Sequence, residues 1–369
     1  MVKEVYFDNA ATMTKIPEAV QAEADYYREV DANALRGLYD RGVKATELLE
    51  ASRRDVAEFV GAQASQIVFT RGATEGLNMI ANGLELGDQD LILVGINNHH
   101  SNILPWTERH KNVKITKDIL SDPDLENAKV IAMCGMSNVT GQSFAKDVLE
   151  ARQKAEKAIL VVDAAQLVAH AELADIVDAV DFLAFSGHKI GAPMGIGVLY
   201  GKDLSLLRPM HFGGEMVESV NYDEGQVVPE LADGPQKFEG GTLNMGGIVG
   251  LAAAARYWKN LNRKAEFEKI DKLTRKLVDG LKAIPHVQVY AGEKGIVSFN
   301  VEGVHPHDTA QVLNHYKIDV RAGYHCAQPF CTCAGFGPVV RASLSIFNTE
   351  DEVGYFVESM KKVREDMGL

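Results

Sequence analysis

The sequence predicts an α/β fold in which a large domain built on a mainly parallel sheet precedes a smaller C-terminal α+β domain. Two observations carry this. Short apolar, β-rich runs alternate with helix-periodic stretches from about residue 43 to residue 261, the pattern of parallel strands covered by helices on both faces. After about Asn262 the pattern changes to a long amphipathic helix followed by strands and helices in mixed order.

The strand runs are Gln66–Thr70, Leu91–Val94, Val130–Cys134, Ile159–Asp163, Asp181–Phe185 and Gly197–Tyr200. Each is short, apolar and rich in β-branched or aromatic residues. Between them Val43–Val60, Thr74–Leu84, Ala145–Lys157 and Met245–Leu261 keep helical spacing. Downstream the expected order is a helix over Ala265–Ile284, strands over Val287–Tyr290 and Gly295–Val301, and a helix from His307 to Tyr316. Strands near Ile318–Arg321 and Val339–Leu344 and a last helix over Glu350–Met367 complete it. Cys331–Pro338 is rich in turn formers and reads as a mobile loop. The expected division is an N-terminal segment, 1–15, packing on the active site or small domain; a large cofactor-binding domain, 16–260; and a small domain, 261–369.

Composition narrows the function classes. The 369 residues are 46% hydrophobic and 24% charged, with a net charge of −13. Nucleic-acid binding needs clustered Lys and Arg, and so does an anionic membrane surface. No apolar run reaches the length of a leader or a membrane span. The reading is a cytoplasmic protein with no nucleic-acid or membrane partner. The four cysteines, Cys134, Cys326, Cys331 and Cys333, are expected to be free.

In an open α/β sheet, chemistry gathers beyond the carboxyl ends of the strands. Three such ends stand out. Gln66–Thr70 runs into Arg71-Gly-Ala-Thr-Glu-Gly76 at a helix start, where Ala73, Thr74 and free N–H groups could hold a phosphate; a capped helix with no ligand is the plainer reading. Ile159–Asp163 ends in an acid, which is costly to bury unless a cation or donors meet it. A pyridinium would serve, and so would a turn capped by Asp163. Asp181–Phe185 runs into Ser186-Gly-His188-Lys189 within a glycine-rich turn. Burial near other cations lowers a lysine pKa and frees its amine for a Schiff base, and Ser186 and His188 could add to a phosphate site. A phosphate cradle, an acid for a ring nitrogen and an amine for an aldehyde are together what pyridoxal phosphate requires.

With these motifs on the page, the sequence resembles the class V group of fold-type I pyridoxal-phosphate enzymes, and within it the Suf-type cysteine desulfurases and selenocysteine lyases. The matching segments are Tyr6-Phe-Asp-Asn-Ala-Ala-Thr12, Phe69-Thr-Arg-Gly-Ala-Thr-Glu75, Asn98-His-His-Ser-Asn102, Ser137-Asn138, Asp163-Ala-Ala-Gln166, Ser186-Gly-His-Lys189, Glu239-Gly-Gly-Thr-Leu-Asn244, Arg321-Ala-Gly-Tyr-His-Cys326 and Arg341-Ala-Ser-Leu344. They span nearly the whole chain.

The resemblance implies a seven-stranded large-domain sheet and a homodimer. It also implies residue roles: Lys189 binds the cofactor aldehyde, Asp163 pairs with the ring nitrogen, Gln166 reaches the ring oxygen, and His99 stacks on the ring, with His100 as the alternative. Ala73, Thr74, Ser186 and His188 hold the phosphate, joined by Thr242 of a second subunit. Asn138, Arg341 and Arg321 bind the substrate. Cys326 attacks the sulfur of bound L-cysteine, giving alanine and an enzyme persulfide for a sulfur-acceptor protein. Arg321 and His325 are expected to favour its thiolate.

Two departures from the pattern bear on this. Tyr324 stands where a second histidine is usual, and Cys331-Thr-Cys333 is added. That pair could pass sulfur on, form a disulfide or contribute to a metal, although two cysteines are too few for a closed zinc site; two free thiols are the plainer reading, and no metal is expected. The competing functions are selenocysteine lyase, cysteine-sulfinate desulfinase, another class V aminotransferase or epimerase, or a non-catalytic cofactor-binding scaffold. A Rossmann dehydrogenase is the weakest competitor, because no Gly-x-Gly-x-x-Gly follows the first strand.

Overall fold

The computed structural model describes residues 4–369; the first three residues of the expected N-terminal segment lie outside them. In chain order the strands are β1 (Val5–Tyr6), β2 (Ile67–Thr70), β3 (Ile92–Gly95), β4 (Val113–Thr116), β5 (Val130–Cys134), β6 (Ile159–Asp163), β7 (Phe182–Ser186) and β8 (Gly197–Gly201). There follow β9 (Val217–Asp223), β10 (Gln226–Leu231), β11 (Val287–Glu293), β12 (Ile296–Val301), β13 (Ile318–Asp319), β14 (Arg321–Gly323) and β15 (Val339–Ser343).

Seven of them form the main sheet, in the order β2-β8-β7-β6-β5-β3-β4. Only β8 runs against the rest: it is antiparallel to both β2 and β7, while β7, β6, β5, β3 and β4 pair in parallel. Strands β2, β3, β5, β7 and β8 are buried along their whole length, which is why they read as continuous apolar runs rather than alternating ones. Each predicted strand of this sheet lies within a residue of its observed place. The exception is β4, whose sequence Val-Lys-Ile-Thr is half-exposed at the sheet edge and too polar to stand out.

The packing between β8 and the start of the Ala73–Gly83 helix decides where the site can form. A Cβ at Gly197 would come within 2.5 Å of the Gly72 Cα. Glycine at both positions lets the β2–helix turn lie directly on the neighbouring strand. The helix N-terminus is thereby fixed next to Ser186, at the end of β7.

A second core gathers Leu273, Leu277 and Leu281 of the Arg263–Lys282 helix with Phe299 of β12, Val340 of β15 and Phe356. Its four-stranded sheet has the order β11-β12-β15-β14. Val5 and Phe7 join this core, and β1 pairs in parallel with β13. The chain start is thus tied to residues more than 300 positions away.

Three expectations are corrected. The antiparallel pair β9–β10 was not foreseen, because its side chains are mostly exposed and carry no apolar alternation. The last helix breaks into Glu350–Met360 and Val363–Asp366. Cys331–Pro338 is not a loop throughout: Gln328–Ala334 is a helix with proline in its first turn and left-handed Gly335 at its end, the start and stop signals of a short helix.

Candidate active site

A cavity of about 230 Å³ opens beyond the carboxyl ends of β5, β6 and β7, with the β14–β15 region as its opposite wall. Lys189, Asp163, Gln166, Ala73, Thr74, Ser186, His188, His99, Asn138, Arg321, Arg341 and Cys326 all line it. Thr242 does not. It is exposed and lines a separate cleft with Phe69, Arg71 and Glu239.

Lys189 sits in the tight turn Gly187–Ile190 that follows β7, closed by Gly191 at φ 79°. Its Nζ donates to the Ala10 carbonyl, which also accepts a 2.7 Å bond from Gln166 Nε2. Burial, and next the nearby Arg341 charge, lower its pKa to about 8, so a sizeable share of the amine is neutral near pH 7.5. Ala10 belongs to the N-terminal segment expected to pack on the active site or small domain, though no single residue of it was assigned a role.

Asp163 ends β6 and is buried. Its Oδ1 accepts a 2.9 Å bond from Ala165 N. Burial raises its pKa despite that bond and the Lys189 charge, so a cationic ring nitrogen would relieve a real electrostatic deficit. At the helix start, Ala73 N donates to Ser186 Oγ at 2.8 Å, and Thr74 Oγ1 lies 2.8 Å from Ser101 Oγ. His188 Nδ1 is buried and unpartnered; burial, then Lys189, lower this ring to about 4, leaving a neutral imidazole. His99 is likewise lowered to about 4, by burial and Lys189, and its Nδ1 accepts from Ser101 N at 3.1 Å. An amine, an uncompensated acid, a hydroxyl-lined helix start and an orphaned ring nitrogen fit pyridoxal phosphate.

Arg341 rises from β15 and is 2% exposed. Its Nη1 donates to Asn138 O at 2.9 Å and its Nη2 pairs with Asp8 Oδ1 at 3.0 Å, while Nε is buried without a partner. The resemblance implies a substrate-binding role for Arg341; Asp8 was missed as the carboxylate that meets it here. Asn138 has a second task, since its Nδ2 donates to His325 O at 2.7 Å.

His325 and Cys326 both lie in the left-handed region, at φ 52° and 55°. Such a conformation costs a non-glycine residue roughly 1–2 kcal/mol. It is held by Asn138, by His100 N donating to Cys326 O at 2.9 Å, and by His325 Nε2 at 3.2 Å from Val339 O. The result is an exposed Cys326 thiol at the mouth of the cavity. Burial and Arg341 push His325 down to about 3, so it supplies no positive charge to the thiol, contrary to the expectation; Arg321 is the exposed cation on that wall. Cys331 is buried, with its thiol pushed up to about 11 by burial, while Cys333 is exposed. Two residues apart on a helix they point to opposite sides, which excludes a disulfide between them without unwinding. Among the described residues no cluster of three or more His, Cys, Asp or Glu could hold a metal, and no helix is long and apolar enough to cross a membrane.

Residues 5–356 match the family model for aminotransferase class-V. A protein of Halalkalibacterium halodurans named "Probable cysteine desulfurase" is 37% identical, covering 99% of this chain and 94% of the relative. Among solved structures, the apo cysteine desulfurase of Thermococcus onnurineus superposes with a TM-score of 0.90 at 35% identity, covering 99% of this chain and 95% of the other. The cysteine desulfurase CsdA of Escherichia coli gives 0.88 at 32%, covering 98% and 95%. Pyridoxal phosphate is the cofactor that this family implies. With its fold and nearly its full length matched, the chain belongs to the aminotransferase class-V family.

Proposed function

We propose that the chain is a cysteine desulfurase, which moves the sulfur of L-cysteine onto Cys326 and releases alanine, with pyridoxal phosphate held at Lys189. The observation that carries this reading is that a low-pKa amine, a buried guanidinium and an exposed thiol line one cavity. A cofactor enzyme without sulfur transfer needs the first two; the thiol on strained backbone at the mouth has no use there.

Lys189 would hold the cofactor aldehyde, Asp163 the ring nitrogen and Gln166 the ring oxygen, with His99 over the ring. The Ala73 helix start, Thr74, Ser186 and His188 would hold the phosphate, joined by Thr242 of a second copy in a homodimer. Bound there, pyridoxal phosphate supplies an electron sink for charge left on the substrate carbon beside the amine. Arg341 fixes the substrate carboxylate through two N–H donors, supported by Asn138 and Arg321. Lys189 as free amine takes the proton from that carbon, holds it at Nζ and gives a proton back to the same carbon once sulfur has left. Cys326 Sγ forms an S–S bond to the substrate sulfur as the carbon–sulfur bond breaks, and the carbon released takes up a proton. One thiol has become a persulfide, and one carbon has been reduced to a methyl group. Exposure of Cys326 then lets an acceptor protein reach the outer sulfur. The cytoplasmic setting and the division at 1–15, 16–260 and 261–369 belong to the same reading, the last supported by Val5 and Phe7 packing with the C-terminal core.

The test is an absorption spectrum of purified protein before and after L-cysteine, with alanine and sulfide measured in the same sample. A visible band that shifts as alanine accumulates is the expected result. A shift without alanine moves the function to another substrate, and no band after incubation with the cofactor sinks the reading.

A further inference from the structure

Behind Lys189 lies a second, much smaller cavity of about 10 Å³. Lys189 and Gln166 line both cavities, so the Lys189 side chain borders both spaces. The small cavity is also lined by His170, a residue with no part in the chemistry above. The volume is that of a single water, and the polar groups around it are enough to hold one.

His170 is built for contact with that space. It follows the short Leu167–Ala169 turn, and the next residues are clamped: Arg263 Nη2 donates to Ala171 O at 2.7 Å, and Arg263 pairs with Glu172. Its Cε1 packs against Gly295, where a Cβ would stand 3.4 Å away. Among the described residues no protein group hydrogen-bonds its ring nitrogens, and neither nitrogen is sealed from water. The charges acting on it are Lys189 from inside and the Lys294–Asp271 ion pair, 3.0 Å apart and partly exposed, from outside. The residue is half-buried and its ring neutral, lowered to about 4 chiefly by burial. A neutral imidazole accepts a proton at one nitrogen and releases one from the other.

We infer that one water in the small cavity joins Lys189 to His170, and that this pair exchanges the lysine's proton with bulk solvent from behind the substrate. With the large cavity taken up by cofactor and substrate, the small one would give Lys189 a second route to solvent. An N–H bond breaks at Lys189 Nζ and the water hands the proton on. An N–H forms at one ring nitrogen, and the N–H of the other passes its proton to solvent. One proton leaves the lysine, one enters bulk water, and the imidazole is left as its other tautomer; the reverse sequence reloads the amine.

The inference rests on the desulfurase reading for its kinetic test and on nothing but the chain for its structural one. In the first, the cofactor-loaded protein turns over cysteine carrying deuterium on the carbon beside the amine, in ordinary water, and the label retained in alanine is measured per turnover. The wild type is expected to lose most of the label. His170→Phe and His170→Gln should each retain about fivefold more, because Lys189 then returns the proton it took. Equal retention in all three overturns the relay. A rise in His170→Phe alone assigns a packing role instead and also overturns it, since Gln keeps the polarity but cannot change tautomer. In the second, a high-resolution crystal structure of the cofactor-free protein should show one water within hydrogen-bond distance of Lys189 Nζ and a His170 nitrogen; a dry cavity overturns the relay. A wild type that makes no alanine while holding this water overturns the desulfurase reading and supports the connection between the two residues.

Discussion

Lys189 and Cys326 face the same cavity from opposite kinds of structure. Lys189 follows a fully buried central strand and sits in a turn closed by a glycine at positive φ. Cys326 follows a three-residue strand, and both it and His325 carry positive φ without being glycine. The proposed reaction would separate them in the same way. A lysine base needs burial, because only desolvation and neighbouring cations bring its pKa near the working pH. A sulfur carrier needs exposure, because its cargo must be collected by another molecule. Strain is therefore found at the mouth, where three hydrogen bonds over-determine the loop, and not on the floor.

The sharpest way to break this comparison is to remove each group in turn. Lys189→Ala is expected to lower alanine formation by about a thousandfold or more, since the base and the cofactor anchor go together. Cys326→Ala is expected to cost about a hundredfold and to abolish protein-bound persulfide while the visible spectrum of the cofactor survives. Alanine and persulfide assays on both variants check this. If Cys326→Ala releases sulfide at the wild-type rate, the mouth has no catalytic part and the division of labour falls.

Asp8 sharpens the comparison from the substrate side. Its carboxylate already occupies Arg341 at 3.0 Å, so a substrate carboxylate must displace or share it. Asp8→Asn is expected to lower KM for cysteine about threefold to tenfold with a smaller change in kcat. The cofactor-free protein should lose stability, because a buried guanidinium is left with less compensation. Added alanine should restore part of the melting temperature by binding the native state. An unchanged KM would mean that Asp8 and the substrate never compete.

How much of this was legible beforehand follows from where each residue sits in the chain. Asp163 ends β6 and Lys189 lies three residues beyond β7, and a parallel sheet collects its strand ends at one edge, so the apolar runs pointed to the stretches that hold them. Asp8 and the Ala10 carbonyl were hidden because β1 is two residues long and pairs with β13, a contact that no local periodicity announces. The Gln328–Ala334 helix was missed for another reason: proline at its start and glycine at its end are capping signals as much as turn signals, and at seven residues the helix has no periodicity to decide between them. The neutral state of His325 was not legible at all, since it depends on burial by residues distant in sequence.

Acid stability probes the floor rather than the mouth. His99, His188 and His170 are each lowered to about 4 and His325 to about 3. Between those values and about 6.5 the unfolded chain binds more protons than the native one, so native stability rises with pH across that window and is lost as pH falls through it. Asp163, Asp147 and Asp319, each raised chiefly by burial, act in the opposite sense. Denaturant titrations of the cofactor-free protein from pH 7 to pH 4.5 should therefore show a steadily falling midpoint; a flat midpoint would place these imidazoles in contact with water.

The smallest effect expected belongs to Cys333. It is exposed on the helix that follows Cys326, but it does not line the cavity, and its neighbour Cys331 points into the core with Val139 and Val339. Cys333→Ser should change alanine formation less than about twofold. The mouth should then owe its reactivity to Cys326 alone. Alkylation followed by peptide mapping supplies the second readout: Cys326 and Cys333 are expected to label quickly, and Cys331 and Cys134 only on unfolding. If Cys333→Ser instead slows delivery of sulfur to an added thiol while alanine formation in a single turnover is unchanged, the outer face of this helix handles sulfur after Cys326 does. The exposed side of the comparison would then be a two-thiol surface rather than one strained residue.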